Sequence, residues 1–319
     1  MPCNGGIIFF NTTDLNNVKA TGCASADHYV HDAQCVVYRG PDTRYYGRDI
    51  CYGYNEDTIT IFDVTNKIGN NTKIISRISY EGAEYIHQGF VLDLQNQEYL
   101  IMDDEYDEVE AVTGPASVNK LPTTHIFDIR DLENPKYAGN FQGKTRNIDH
   151  NQYVIDGFSY QSNYGAGLTV WDIRSIPKNP SGKDVKEVAF FDIYPEDDEL
   201  PGGGSVAFLG SWSHYAYFKS GYVYINTIER GSFIVKLTAK TPAPAPVCNA
   251  DNCLRAFRAN TIPGRLAESQ AFCSSFLARK RDATAVTKTY ALQSCTRTTD
   301  VAAQVSSACA CIPSAVVPL

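Results

Sequence analysis

The sequence has no apolar run near the eighteen or so residues that a membrane-spanning helix needs. It has no basic stretch that could follow a phosphate backbone, and 28 basic residues against 36 acidic ones leave a formal charge of −8. That balance argues against nonspecific attraction to nucleic acid or anionic lipid. No cysteine lies between Cys51 and Cys248, and no Cys-x-x-Cys knuckle occurs anywhere, which removes the usual structural zinc sites. There is no Gly-x-Ser-x-Gly elbow, no phosphate-binding loop and no His-Glu-x-x-His. The opening residues, Met1 to Gly6, offer neither the basic nor the apolar part of a signal peptide. What is present is an apolar content of 43%, too high for a disordered chain. A length of 319 residues suits one large domain or two smaller ones. Twenty tyrosines and ten cysteines stand out.

The cysteines form two even sets, Cys3, Cys23, Cys35 and Cys51, then Cys248, Cys253, Cys273, Cys295, Cys309 and Cys311. Even sets without metal spacing predict disulfides, and disulfides predict an oxidising compartment, outside the cell or on its surface. Cys3–Cys23 and Cys35–Cys51 are the expected pairs, each joining neighbouring strands. The tail set allows fifteen connectivities. Asn11 and Asn70 open Asn-x-Thr sequons, candidate glycosylation sites on an exported chain.

A short strand ending in an aromatic-Asp pair recurs at Thr58–Val64, Thr124–Ile129 and Leu168–Ile173, with degenerate copies at Ile7–Asn11 and Ser232–Leu237. The Asp positions and their equivalents (11, 63, 128, 172, 236) are spaced 52, 65, 44 and 64 apart. Irregular recurrence of this size predicts a β-propeller with variable loops. Turn residues divide each unit into four strands, near 31–38, 49–54, 58–64 and 73–80, then 87–94, 98–104, 123–129 and 136–142, then 151–156, 158–163, 167–173 and 185–193. A last unit has three (213–219, 221–228, 231–237), and Gly6–Ala24 supplies only two. The expected fold class is therefore all-β, a propeller of four-stranded antiparallel blades over residues 1–240, with about four blades present. An orphan half-blade would expose a bare sheet edge. The expectation is accordingly of a chain that starts mid-blade, in place of a four-bladed ring closed by its two ends. Residues 241–247 (Thr-Pro-Ala-Pro-Ala-Pro-Val) read as a stiff spacer. Residues 248–319 read as a Cys-rich, partly helical module, with helices near 249–260 and 265–279 and a solvated basic cluster at Arg279-Lys280-Arg281.

These aromatic-Asp repeats, with His31-Asp32-Ala33-Gln34-Cys35, His87-Gln88-Gly89, Asp149-His150-Asn151-Gln152-Tyr153 and Glu229-Arg230-Gly231, resemble the LVIVD-repeat β-propellers, the choice-of-anchor B or regulatory P domain-containing proteins. The likeness spans about Cys3 to Leu237. The tail around Ala250–Ala256 is similar to Cys-rich tails of fungal secreted proteins. The resemblance implies six or seven blades and a signal peptide in the whole family member. It implies no established activity.

Four histidines, His31, His87, His150 and His214, fall once per unit near the start of its first strand, at spacings of 56, 63 and 64. First strands line a propeller's central channel, so these imidazoles are expected to converge. They would form a polar ring bonding blade to blade or, alternatively, hold a metal ion, with Asp32, Gln88, Asp149 and Asn151 orienting the rings. His28 and His125 are off-register and read as ordinary surface or strand residues. The acidic runs 103–110 and 196–199 read as solvated loops. Their Asp103, Asp104, Glu105, Asp197 and Asp198 are candidate calcium ligands without EF-hand spacing. Tyr45, Tyr46, Tyr52, Tyr54, Tyr160, Tyr164, Trp212, Tyr215 and Tyr217 fill half-buried strands or, alternatively, form a stacking surface for a glycan or protein. The expected function is an extracellular binding module for a protein or glycan, monomeric and without nucleic-acid or membrane partners. Its cofactor is none or a channel metal, and the alternative is a metalloenzyme built on the four histidines.

Overall fold

The computed structural model describes residues 3–238, 252–259, 262–278, 289–295, 305, 308 and 309. Two compact units, Met1–Lys240 and Thr241–Leu319, divide the chain. The first is all-β. Strands β1 (Ile7–Asn11) and β2 (Lys19–Ala24) form a two-stranded sheet. The second sheet runs β3 (Asp32–Val37), β4 (Asp49–Tyr54), β5 (Ile59–Asp63), β6 (Lys73–Ile78). The third runs β7 (Ile86–Val91), β8 (Tyr99–Asp104), β9 (Thr123–Asp128), β10 (Lys136–Gln142). The fourth runs β11 (Gln152–Ile155), β12 (Phe158–Ser162), β13 (Leu168–Asp172), β14 (Lys186–Phe191). The fifth has three strands, β15 (Ser211–Tyr215), β16 (Tyr222–Thr227) and β17 (Ser232–Lys236). Each sheet is an antiparallel meander in chain order.

Alternation along the middle strands explains why both sheet faces are buried, since successive side chains point to opposite faces. In β5, Ile59 and Ile61 pack with Leu100 and Met102 of the third sheet, while Phe62 packs with Phe9 of the first. In β8, Tyr99 and Ile101 turn the other way, toward Trp171 of the fourth sheet. Leu168 and Val170 of β13 then meet Val223 and Ile225 of the fifth. The core is thus a series of layers between successive sheets.

The recurrent aspartate closes each third strand. Asp63, Asp128 and Asp172 accept the N–H two residues on, from Thr65 (3.0 Å), Arg130 (3.0 Å) and Arg174 (3.2 Å), the turn that a short carboxylate favours. Arg48, Arg130 and Arg174 pair with the same three carboxylates and help hold them below the ordinary range. First strands are tied across sheets by glutamines. The Gln34 carbonyl accepts from the Val91 N–H at 2.8 Å, and that of Gln88 from the Gln152 N–H at 2.9 Å. Gln88 was expected to orient a histidine; its oxygen is instead used in this strand tie.

Cys3–Cys23 and Cys35–Cys51 are bonded as expected. The second unit contains α1 (Asn252–Arg258), α2 (Arg265–Ala278) and α3 (Thr289–Ser294), the last not anticipated from the sequence. Cys253–Cys295 and Cys273–Cys309 staple it. Cys248, Cys311, the 241–247 spacer and Arg279–Arg281 lie outside the described residues. No helix among the described residues is long and apolar enough to cross a membrane.

Candidate metal centre

Three of the four histidines come together, and the fourth does not. His31, which precedes β3, lies ring to ring with His87 of β7, their centroids 4.2 Å apart. His87 lies 4.3 Å from His150, which precedes β11, and His150 lies 4.6 Å from Trp212 of β15. Backbone carbonyls fix the row: the Nδ1–H of His31 donates to the His87 oxygen (3.1 Å), and that of His150 to the Trp212 oxygen (2.7 Å). Asn151, expected to orient a ring, donates to the same Trp212 oxygen at 2.8 Å.

His214 stands elsewhere. β15 begins at Ser211, two residues before the expected start, so the row position of the fifth sheet falls to Trp212. The His214 Nδ1 meets Ser162 Oγ at 2.9 Å, and its ring lies 5.2 Å from Tyr153 and 6.3 Å from Tyr160. Burial alone pushes this imidazolium down to about 3. From pH 6.5 down to that value the unfolded chain binds a proton that the folded chain refuses, so acid removes stability through this group. Urea unfolding should show His214→Gln losing about 2–3 kcal/mol less than the parent between pH 7 and pH 4.5. Equal losses would remove His214 from the acid response.

The acidic run that ends β8 and continues beyond it supplies a third ligand. It is not a solvated loop: Asp103, Asp104, Glu105, Asp107 and Glu108 are all buried. Asp104 is saturated by the N–H groups of Glu84 (2.9 Å) and Tyr85 (2.7 Å) and by the Tyr80 hydroxyl (2.8 Å). These bonds anchor the turn that carries Glu105 to the histidines. His87, Glu105 and His150 each present a ligand atom within 4.8 Å of the other two. Among the described residues His150 Nε2 has no hydrogen-bond partner, and it faces Glu105 Oε1 at 3.4 Å. The Tyr164 hydroxyl donates to that same oxygen and orients it.

His87 Nδ1 lies 2.9 Å from Asp103 Oδ1, and Gln152 donates to the other Asp103 oxygen at 2.7 Å. Burial pushes Asp103 well above the carboxylate range and His87 down to about 4. With its Nδ1–H donated to Asp103, His87 has the Nε2 lone pair free for a metal. Burial also holds His150 neutral, down to about 3, with the neighbouring His87 adding to the effect. Two neutral imidazoles, each with its far nitrogen engaged, and one carboxylate form a donor set suited to Zn²⁺ or Fe²⁺.

Aromatic rings border this row. Tyr85 lies 5.5 Å from His31 and 5.0 Å from Tyr106, which lies 5.2 Å from Phe208. Phe208 lies 5.5 Å from Tyr164, which lies 6.2 Å from Trp212. Phe208 and Trp212 are both exposed. Of the other tyrosines, Tyr52 and Tyr54 are core, Tyr45 donates to Glu133, and Tyr46, Tyr215 and Tyr217 are exposed.

The remaining candidates separate. Asp32 accepts only from the neighbouring Ala33 N–H among the bonds seen here, and Asp149 turns toward Asp107 and Glu108 instead of the rings. His125, read as a surface or strand residue, lies in β9, where it is fully buried and bonds Asp107, whereas His28 is exposed. Asp197 and Asp198 line a cleft of about 430 Å³ with Asp192, Trp171 and Phe190, so the five calcium candidates do not form one site. Asn11 and Asn70 are both exposed.

No protein-family model matches the sequence, and no curated protein is significantly similar to it. Among solved structures, the computationally designed Ika4 protein aligns over 59% of this chain and 85% of its own, with 9% identity and a TM-score of 0.34. The major allergen Mala s 1 of Malassezia sympodialis aligns over 66% of this chain and 60% of its own, with 12% identity and a TM-score of 0.38.

Proposed function

We propose that this protein is an extracellular β-propeller of the LVIVD-repeat type that binds a transition metal through His87, Glu105 and His150. It takes a glycan or protein ligand over the aromatic border of that centre. One observation carries the metal: His150 Nε2 is buried, unbonded and aimed at Glu105, with the far nitrogen already engaged. An unpartnered buried nitrogen is costly unless something binds it. The propeller reading is supported by successive four-stranded meanders whose first strands adjoin. The extracellular reading is supported by the disulfides. Tyr85, Tyr106, Phe208 and Trp212 offer stacking area at low entropic cost, which favours a binding role over a reaction.

The test uses the full chain, freed of metal by a chelator and titrated with Co²⁺, whose d–d absorption reports nitrogen and oxygen ligation. One equivalent should bind, and Zn²⁺ should displace it. A folded chain that takes up neither ion overturns the metal reading.

A further inference from the structure

The same two chain segments that carry Glu105 and His150 also carry a second cluster, made only of oxygen donors. Asp107, Glu108 and Asp149 each offer an oxygen within 4.8 Å of the other two, and all three side chains are about 1% exposed. Hydrogen bonds use one oxygen of each of the first two. Asp107 Oδ2 accepts from His125 Nε2 (2.9 Å) and the Tyr80 hydroxyl (3.3 Å), and Glu108 Oε1 accepts from the Thr123 N–H (2.9 Å). Among the described residues the opposite oxygens, Asp107 Oδ1 and Glu108 Oε2, and both oxygens of Asp149 accept from no N–H or hydroxyl donor, and Glu108 lies against the carboxyls of Asp107 and Asp149. Four carboxylate oxygens are therefore left over in the interior. Among the described residues no lysine or arginine forms an ion pair with any of the three carboxylates.

We propose that Asp107, Glu108 and Asp149 form a calcium site inside the first unit, distinct from the histidine centre. Carboxyl oxygens that converge within 4.8 Å in the interior, with no N–H or hydroxyl donor among the described residues, carry an uncompensated cost of burial. The available compensations are a cation or protons shared between the carboxyls. The donor set is hard oxygen throughout, with no nitrogen or sulfur, which selects Ca²⁺ over the softer ions suited to His87 and His150. Calcium can take both oxygens of a carboxylate, which suits Asp149 because neither of its oxygens accepts from an N–H or hydroxyl donor among the described residues. The bonds from His125, Tyr80 and Thr123 fix the other two carboxylates so that their unused oxygens remain available. The site would join the loop after β8 to the segment before β11, linking the third and fourth sheets next to the metal centre.

The test is thermal unfolding of the full chain after chelator treatment, with and without added CaCl2. At a hundredfold excess over the dissociation constant, Ca²⁺ should raise the melting temperature of the first unit by about 5–10 °C. Asp149→Asn, which keeps the volume and removes one charge, should abolish the rise. Without calcium that variant should melt no lower than the parent, because it relieves repulsion. Glu105→Gln, which weakens the histidine centre, should keep the calcium response in full. A parent chain that ignores Ca²⁺ would show that shared protons neutralise the cluster, and would overturn the proposal. So would a response that survives Asp149→Asn or disappears with Glu105→Gln.

Discussion

Replacing Glu105 with glutamine should lower the affinity for Co²⁺ or Zn²⁺ by more than about 100-fold. Loss of a partner that merely orients a ligand costs 10–100-fold, and loss of the charged ligand itself should cost more. The substitution is nearly isosteric, and the amide oxygen can still accept the Tyr164 hydroxyl, so the fold is expected to survive. His150→Ala should have a comparable effect by removing the nitrogen that faces Glu105. Asp103→Asn should fall in the smaller range, because it disturbs the proton on His87 without removing a donor from the metal. His214→Gln should change nothing, since that ring lies against Ser162, Tyr153 and Tyr160. Competition against a chelator of known affinity, with circular dichroism to confirm folding, measures all four. Unchanged binding in Glu105→Gln and His150→Ala would place the metal elsewhere. Weakened binding in His214→Gln would restore the four-histidine arrangement.

That contrast shows where the sequence is legible and where it is not. Strand positions follow from local alternation and turn residues, so β4, β5 and β8 to β10 fall within a residue of their expected limits. The Cys35–Cys51 bond follows from the same register, because those residues face each other across β3 and β4. The histidine spacing was also informative, but near-equal intervals cannot separate Trp212 from His214. A two-residue difference in where β15 starts decides which of them joins the row. That start depends on an irregular pairing between Ser211 and Ser213 and on a bridge from Ser211 to Tyr164, a contact distant in sequence. The acidic run was misread for a related reason. Charge alone suggests solvent, whereas Asp103 and Asp104 complete β8 and draw the following turn inward through bonds to Gln152, Tyr80 and Tyr85. A direct continuation from Tyr99–Met102 into two aspartates, with no glycine or proline between them, was the available signal.

Removing either described disulfide of the second unit should cost that unit about 4 kcal/mol and melt it at ordinary temperatures while the first unit stays folded. Cys253–Cys295 closes a sequence separation of 42 residues and Cys273–Cys309 one of 36. Loop-closure entropy for rings of that size corresponds to about 4 kcal/mol each. The described part of the core gives little to set against such a loss. Among the described residues its buried cluster consists of Leu254, Phe257, Phe272, Ala291, Val305 and Ala308 with the four bonded cysteines themselves. Only Phe257 and Phe272 are large, their rings 5.9 Å apart, and a unit of this size rarely stores more than about 3–5 kcal/mol from packing alone. The first unit differs, because Cys35–Cys51 spans two strands already paired along their length, and its stability comes from the layers between sheets. Calorimetry on the full chain carrying Cys253→Ala and Cys295→Ala should show the lower transition lost or shifted down, with the transition of the first unit unmoved. An unchanged lower transition would mean that the helices, and not the bridges, hold the module together.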